Sequence, residues 1–302
     1  MSKLAAPVAA LAFAACTPRS PAPAPAPAPR PVTLTYLGVA GWQIEGDGHV
    51  ILVDPYLSRI SADVPDAEPI HPDEAAVAAH APARADLILI GHSHFDHLLD
   101  APAIARRTGA QILGTESTAR VARAAGVADD HIIPVVGGED YAFDGFSVRV
   151  IPSLHSALGD KHILGATSVI PADVTLPMPR SGYQEGGTLA YLLRLGGREI
   201  LILGTANFIE RELEGIHPDV AIVAVGLREE IHDYSCRLMR VLGQPGLVLA
   251  NHFDAWTRPL GPDQMALEPA ARESLDRFGD EIRTCAPRAR VVIPEHARPI
   301  RL

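Results

Sequence analysis

The sequence predicts an α+β protein in which two β-rich halves, each carrying its own helices, pack sheet on sheet with the helices outside. Three observations carry this prediction. Short apolar runs bounded by turn residues recur from Val32 to Ile293. Helical stretches alternate with them too often for an all-β sandwich. The composition, 47% hydrophobic and 21% charged over 302 residues, is that of an ordinary globular chain and excludes both wholesale disorder and a polytopic membrane protein. No repeat of solenoid period is present.

The amino terminus reads as an address followed by a spacer. Met1-Ser2-Lys3 is a basic start, Leu4 to Ala15 is small and apolar, and Ala14-Ala15-Cys16 follows, the pattern of a secretory signal over residues 1–16. Twelve apolar residues are too few to cross ~30 Å of hydrocarbon as a helix. The surroundings of Cys16 resemble a bacterial lipoprotein cleavage box, which implies a lipid anchor on that cysteine. A signal cut by ordinary signal peptidase and an Ala-rich cytoplasmic tail are the alternatives. Thr17 to Pro31 holds seven of the 27 prolines in Pro-Ala alternation, a polyproline II tether without packing side chains. At ~3.1 Å per residue it reaches up to about 45 Å. An oxidising compartment would allow Cys236 and Cys285 to pair; two buried free thiols are the other reading.

From Val32 the expected strands are Val32 to Leu37, Trp42 to Ile44, His49 to Val53 and Asp86 to Ile90, with a helix over Asp73 to Arg84. Helices over Ala101 to Thr108 and Ser117 to Ala125 precede strands at Gln111 to Leu113 and His131 to Val136, and Phe146 to Ile151 closes the first half. The second half repeats the texture. Strands are expected at Thr188 to Leu195, Glu199 to Leu203, Val220 to Val225, Leu247 to Ala250 and Arg290 to Ile293, with helices over His232 to Leu242 and Pro269 to Phe278.

The informative segment is Gly91-His92-Ser-His94-Phe-Asp96-His97, directly after the apolar strand ending at Ile90. Three imidazoles and a carboxylate at a strand's carboxyl end must be solvated, paired or bound to metal. Their alternation builds two adjacent cation sites with nitrogen and oxygen ligands, which suits Zn and permits Fe or Mn. Four residues cannot complete two sites, and His155 and His252 stand at the ends of two further strands. Trp42, Tyr56, Tyr183 and Trp256 adjoin these segments as candidate pocket lining, with simple packing as the alternative. His162, His232 and Asp254 are weaker candidates. Asp54, in Asp54-Pro55, is either an acceptor for a ligand histidine's second N–H or a turn residue.

Order and spacing resemble the metallo-β-lactamase fold hydrolases, whose His-x-His-x-Asp-His motif matches His92, His94, Asp96 and His97. Tyr36-Leu-Gly-Val-Ala-Gly41-Trp42, Leu52-Val-Asp54-Pro55 and Gly186-Gly-Thr188 add to the likeness. Together they resemble the branch that includes ascorbate-phosphate lactonases and the phospholipases of N-acyl phosphatidylethanolamine. The resemblance covers residues 32–302 and implies a four-layer αββα sandwich with its site at one edge of the sheets. It implies one metal held by His92, His94 and His155 and another by Asp96, His97 and His252. Many relatives carry a bridging aspartate after the strand ending at Leu203, where this chain has Gly204-Thr205-Ala-Asn207; one metal or two is therefore open.

The resemblance implies a metal-dependent hydrolase that uses a metal-bound hydroxide on an ester, lactone, amide or phosphodiester bond, with Asp96 accepting a proton. The alternative is a metal-binding sensor or scaffold with little hydrolytic activity, for which Thr205 speaks. No Gly-x-Ser-x-Gly elbow, phosphate-binding Gly-Lys-Ser/Thr loop or Gly-x-Gly-x-x-Gly helix start is present, and the chain has only Lys3 and Lys161 for a catalytic lysine. Residues 32–302 carry a formal charge of −13, which argues against nucleic acid. The expected substrate is a small or lipid-derived molecule met at the periplasmic face of a membrane, touched only through the anchor at Cys16. The loops 57–72 and 165–185 carry no substrate motif.

Overall fold

The computed structural model describes residues 28–158, 169–261 and 267–302. The signal, Cys16, the spacer as far as residue 27, and His162 lie outside them. The first half of the chain forms β1 (Val32–Gly38), β2 (Gly41–Gly46), β3 (His49–Val53), β4 (Pro69–Ile70), α1 (Glu74–His80), β5 (Leu87–Leu89), α2 (Phe95–Leu98), α3 (Ala101–Thr108), β6 (Gln111–Gly114), α4 (Glu116–Ala124) and β7 (Ile132–Pro134). The second forms β8 (Asp140–Ala142), β9 (Phe146–Ser153), β10 (Met178–Pro179), β11 (Thr188–Leu195), β12 (Arg198–Leu203), α5 (Glu210–Leu213), β13 (Val220–Ala224), α6 (Tyr234–Val241), β14 (Leu247–Asn251), α7 (Pro269–Cys285), β15 (Arg290–Val292) and β16 (Pro299–Arg301).

The strands build two seven-stranded mixed sheets, in the orders β16-β1-β2-β3-β5-β6-β7 and β15-β14-β13-β12-β11-β9-β8. Each half begins as an antiparallel meander and continues in parallel, β3-β5-β6-β7 in one sheet and β12-β13-β14-β15 in the other. Strand alternation then sorts the apolar residues into layers. On β3, Ile51 and Val53 face the opposite sheet while Val50 and Leu52 face the helices; on β12, Ile200 and Ile202 face inward and Leu201 and Leu203 outward. Both strand faces are buried, so these strands read as continuous apolar runs. The helices α3 and α4 cover the first sheet, and α6 and α7 the second. The result is the αββα sandwich that the resemblance implies.

Four elements differ from expectation for local reasons. Helix α1 stops at His80 because Ala81 precedes Pro82 and adopts an extended conformation (ψ 145°). Helix α7 runs past Phe278 to Cys285, since Ile282, one turn on, buries on the same face. β4 and β10, which contain prolines, pair with each other and staple residues 57–70 to the 170–183 loop. Cys236 and Cys285 are joined in a disulfide between α6 and the end of α7, with Cα atoms 5.1 Å apart, so the free-thiol reading falls away. The last residues of the Pro-rich stretch are docked: the Arg30 amide donates to Gly196 O at 2.8 Å and its guanidinium lies 2.7 Å from Asp47.

Candidate metal centre

The strand ends that carry the polar motifs converge at one edge of the two sheets. β5 delivers Gly91, His92 and His94; β9 delivers His155; β14 delivers His252; β3 delivers Asp54 and β12 delivers Gly204 and Thr205. His94 caps α2, whose first turn carries Asp96 and whose last carries His97. The motif loop is fixed by its backbone: Ser93 N–H donates to Glu185 O at 2.9 Å, Leu189 N–H to Gly91 O at 2.7 Å, and the Tyr191 hydroxyl to Ile90 O at 2.6 Å.

Two groups of three donors result, His92 with His94 and His155, and Asp96 with His97 and His252; within each group the donor atoms lie within 4.8 Å of one another. In the first, His92 Nε2 is 3.0 Å from His94 Nδ1, and the His155 ring stands 4.7 Å and 4.9 Å from those two rings. His155 Nδ1 donates to Ser156 O at 2.9 Å, which leaves Nε2 to the group. In the second, Asp96 Oδ2 is 3.7 Å from His97 Nε2 and 3.5 Å from His252 Nε2. The groups touch, since the His92 and His97 ring centroids are 3.8 Å apart.

Electrostatics keep the first group in the form a cation needs. Burial, reinforced by His97, His94 and His155, holds His92 well below the usual histidine value. Burial likewise pushes His94 down to about 4 and lowers His155. Burial opposes ionisation of Asp96, but His97 and His252 outweigh it and hold its carboxyl below the carboxylate range. Burial also opposes a proton on His97, and Asp54 and Asp96 overcome it and raise that imidazole. Neutral imidazoles and an ionised carboxylate are the metal-binding forms. His92 Nδ1 is buried without a hydrogen-bond partner among the described residues. Three neutral imidazoles converging within 4.8 Å therefore fit a divalent cation in the first group, and the second group fits one once His97 gives up its proton.

Asp54 is a buried acceptor rather than a turn residue alone: Oδ2 lies 2.9 Å from His97 Nδ1 and Oδ1 accepts the Gly91 amide at 2.7 Å. Space for it depends on glycine, because a Cβ at Gly204 would stand 2.7 Å from Asp54 Oδ2 and one at Gly91 3.0 Å. Thr205 carries no charge into the centre. Its Oγ1 accepts the Ser156 amide and donates to Ser156 Oγ, both at 3.0 Å.

The donors open into a cavity of about 590 Å³ walled by Phe95, Leu158, Tyr183, Leu227 and Trp256, with Asp66 and Arg180 as its charged members outside the donor groups. Of the four candidate aromatics, Tyr183 and Trp256 line it. Trp42 and Tyr56 are fully buried elsewhere: Trp42 Nε1 donates to Asn251 Oδ1 at 3.0 Å, across the two sheets, and the Tyr56 hydroxyl accepts the Ile60 amide at 2.7 Å. His232 is exposed and apart from the centre. Asp254 stands behind it, within 3.2 Å of Arg59 and 2.9 Å of His296, accepting from Val39 N–H at 2.7 Å and the Tyr36 hydroxyl at 3.0 Å. This network braces the loop of His252, whose φ is +50° and whose amide donates to Val39 O at 2.7 Å. Arg180 carries no signal in the sequence; its place comes from the β4–β10 pairing.

Comparison with known proteins agrees with this geometry. The Beta-lactamase superfamily domain matches residues 33–242. A UPF0173 metal-dependent hydrolase of Carboxydothermus hydrogenoformans is 28% identical over 227 residues, 74% of this chain and 85% of the relative. One of Aeropyrum pernix is 35% identical over 140 residues, 42% of this chain but only 52% of the relative, so that match spans about half its length. Among solved structures, the metallo hydrolase Igni18 from Ignicoccus hospitalis superposes with a TM-score of 0.59 at 20% identity, covering 90% of this chain and 98% of that one.

Proposed function

The chain belongs to the metallo-β-lactamase superfamily, and from that premise we propose that it is a metal-dependent hydrolase of an ester, lactone, amide or phosphodiester bond. The observation that carries the reading is the pair of three-donor groups at the floor of a largely apolar cavity. His92, His94 and His155 would hold one cation and Asp96, His97 and His252 a second. Zinc is the proposed metal, since imidazole and carboxylate donors suit it. Such a cation activates water and polarises a carbonyl or phosphoryl group.

The rest is done by the chain's own residues. Asp54 fixes the His97 ring so that Nε2 faces the cavity. Asp96, held ionised, would accept a proton from water on the carboxylate oxygen it does not give to the cation. The apolar wall excludes bulk solvent and strengthens the charges inside. Thr205 favours a second reading, a one-metal or purely metal-binding protein, because nothing at that position supplies a bridging carboxylate. We also propose export with lipid anchoring at Cys16. The terminal sequence pattern supports it, and so does the Cys236–Cys285 disulfide, a bond of oxidising compartments; loss of membrane association in Cys16→Ser is its check.

The deciding experiment is metal content per chain for the wild type, His92→Ala and His252→Ala, with hydrolysis by Asp96→Ala measured beside them. Two metals, one lost in each variant, and turnover abolished by Asp96→Ala are expected. A chain that holds no metal would sink the proposal, and metal without turnover on any of the four bond classes would favour the second reading.

A further inference from the structure

The described residues contain three arginines whose side chains are at least nine-tenths buried and ion-paired, and one of them has a counter-charge that is almost wholly solvated. Arg59 faces the fully buried Asp254 at 3.2 Å, and Arg228 faces Glu281 at 3.0 Å with a second contact to Glu229. Arg180, 9% exposed, has among the described residues only Asp66, at 3.4 Å, and that carboxylate is itself 92% exposed. So solvated a partner offsets little of a buried charge.

The guanidinium is nevertheless held rigidly. It donates to Val64 O at 3.0 Å and to Ser61 O, and its carbon stands 5.8 Å from the ring centroids of both Phe95 and Trp256, which are themselves 5.5 Å apart edge to face. Its Nε is buried and has no partner among the described residues. The β4–β10 pairing fastens the loop that carries Arg180 to the loop that supplies both carbonyls. Arg180 and the two rings line the same cavity as the donor groups. A fixed, under-compensated guanidinium beside a pair of aromatic rings is a recognition element for a carboxylate or phosphate attached to an apolar body.

We infer that Arg180 is the anion-recognising residue of this cavity and that its substrate couples an apolar group, packed on Phe95 and Trp256, to a carboxylate or phosphoryl group. The inference rests on the hydrolase reading for the word substrate, but its test reads binding and needs no turnover. The chain has two tryptophans, Trp42, fully buried, and Trp256, in the cavity, so ligand-induced fluorescence change reports on Trp256.

Three matched ligands, 3-phenylpropionate, 2-phenylethylphosphonate and 3-phenylpropanol, are titrated into the protein as purified. The anions are expected to bind on the order of tenfold more tightly than the alcohol, and the tighter of the two identifies the carboxylate or phosphoryl class. Arg180→Gln is expected to erase that preference while the alcohol binds as before. Asp66→Asn, at an exposed side chain where folding is not at stake, is expected to tighten the anions by about two- to threefold. Equal binding of anions and alcohol in the wild type overturns the inference. So does a preference that survives Arg180→Gln, which would place the anion on the donor groups, or a loss of the alcohol with it, which would make Arg180 a staple. An unchanged preference in Asp66→Asn also counts against it.

Discussion

Asp54 and His97 are buried against each other, with Oδ2 2.9 Å from Nδ1, and the contact decides which imidazole nitrogen faces the cavity. The carboxylate also accepts the Gly91 amide, so one side chain aligns a donor of the second group and the loop that carries the first.

Asp54→Asn keeps this shape and removes the charge. The affinity of the Asp96, His97 and His252 group for a divalent cation is expected to fall by about 10- to 100-fold, with the His92 group little changed. Competition with a coloured chelator resolves the two affinities, and equal losses at both would contradict the assignment.

The two groups are expected to release metal at different pH. Without metal, His97 is raised by Asp54 and Asp96, so protons compete at its group first as pH falls. His92, His94 and His155 are lowered, His94 to about 4, so protons compete there only in stronger acid. Dialysis from pH 8 downward should give two steps in metal content. In the metal-free protein the raised His97 contributes stability that is fully present below the ordinary histidine value and is lost as pH rises through its own.

Thr205→Asp places a carboxylate where the resemblance implies a bridging one. It is expected to tighten metal at the second group while breaking the two Ser156 hydrogen bonds. Chelator competition combined with thermal melting separates the gain from the cost. Unchanged affinity would mean that the Thr205 backbone does not aim a side chain at the centre.

Asp254→Ala strands Arg59 in the interior, and a stability loss of about 3–5 kcal/mol is expected from denaturant unfolding. His296 and Arg59 hold the Asp254 carboxyl far below its ordinary value despite burial. Its contribution is therefore present above the ordinary aspartate pKa and is lost as pH falls through the folded one, so the variant should lose less stability in acid than the wild type does.

The sandwich was legible because its central strands are buried on both faces: Ile51 and Val53, or Leu87 and Leu89, cannot be anything but core. The short edges were not. Asp140-Tyr-Ala142 and Pro299-Ile-Arg301 pair at sheet margins with mostly exposed side chains, and burial leaves no imprint on them. The His92 to His97 motif was legible because its four donors lie within six residues. Arg180 was not, because its meaning depends on Ser61 and Val64, more than a hundred residues away and joined to it by a two-residue sheet. Trp42 misled by adjacency, since strand alternation turns it into the inter-sheet core.

The docking of Arg30 sets how the domain is hung. β1 starts at Val32 beside the Gly196 turn and runs seven residues to Gly38, whose neighbours Arg59, Asp254 and His296 already belong to the support of the metal centre. The chain thus enters at the far end of a strand some 20 Å long at ~3.3 Å per residue. The entry of the chain and the support of the metal centre therefore stand at opposite ends of β1.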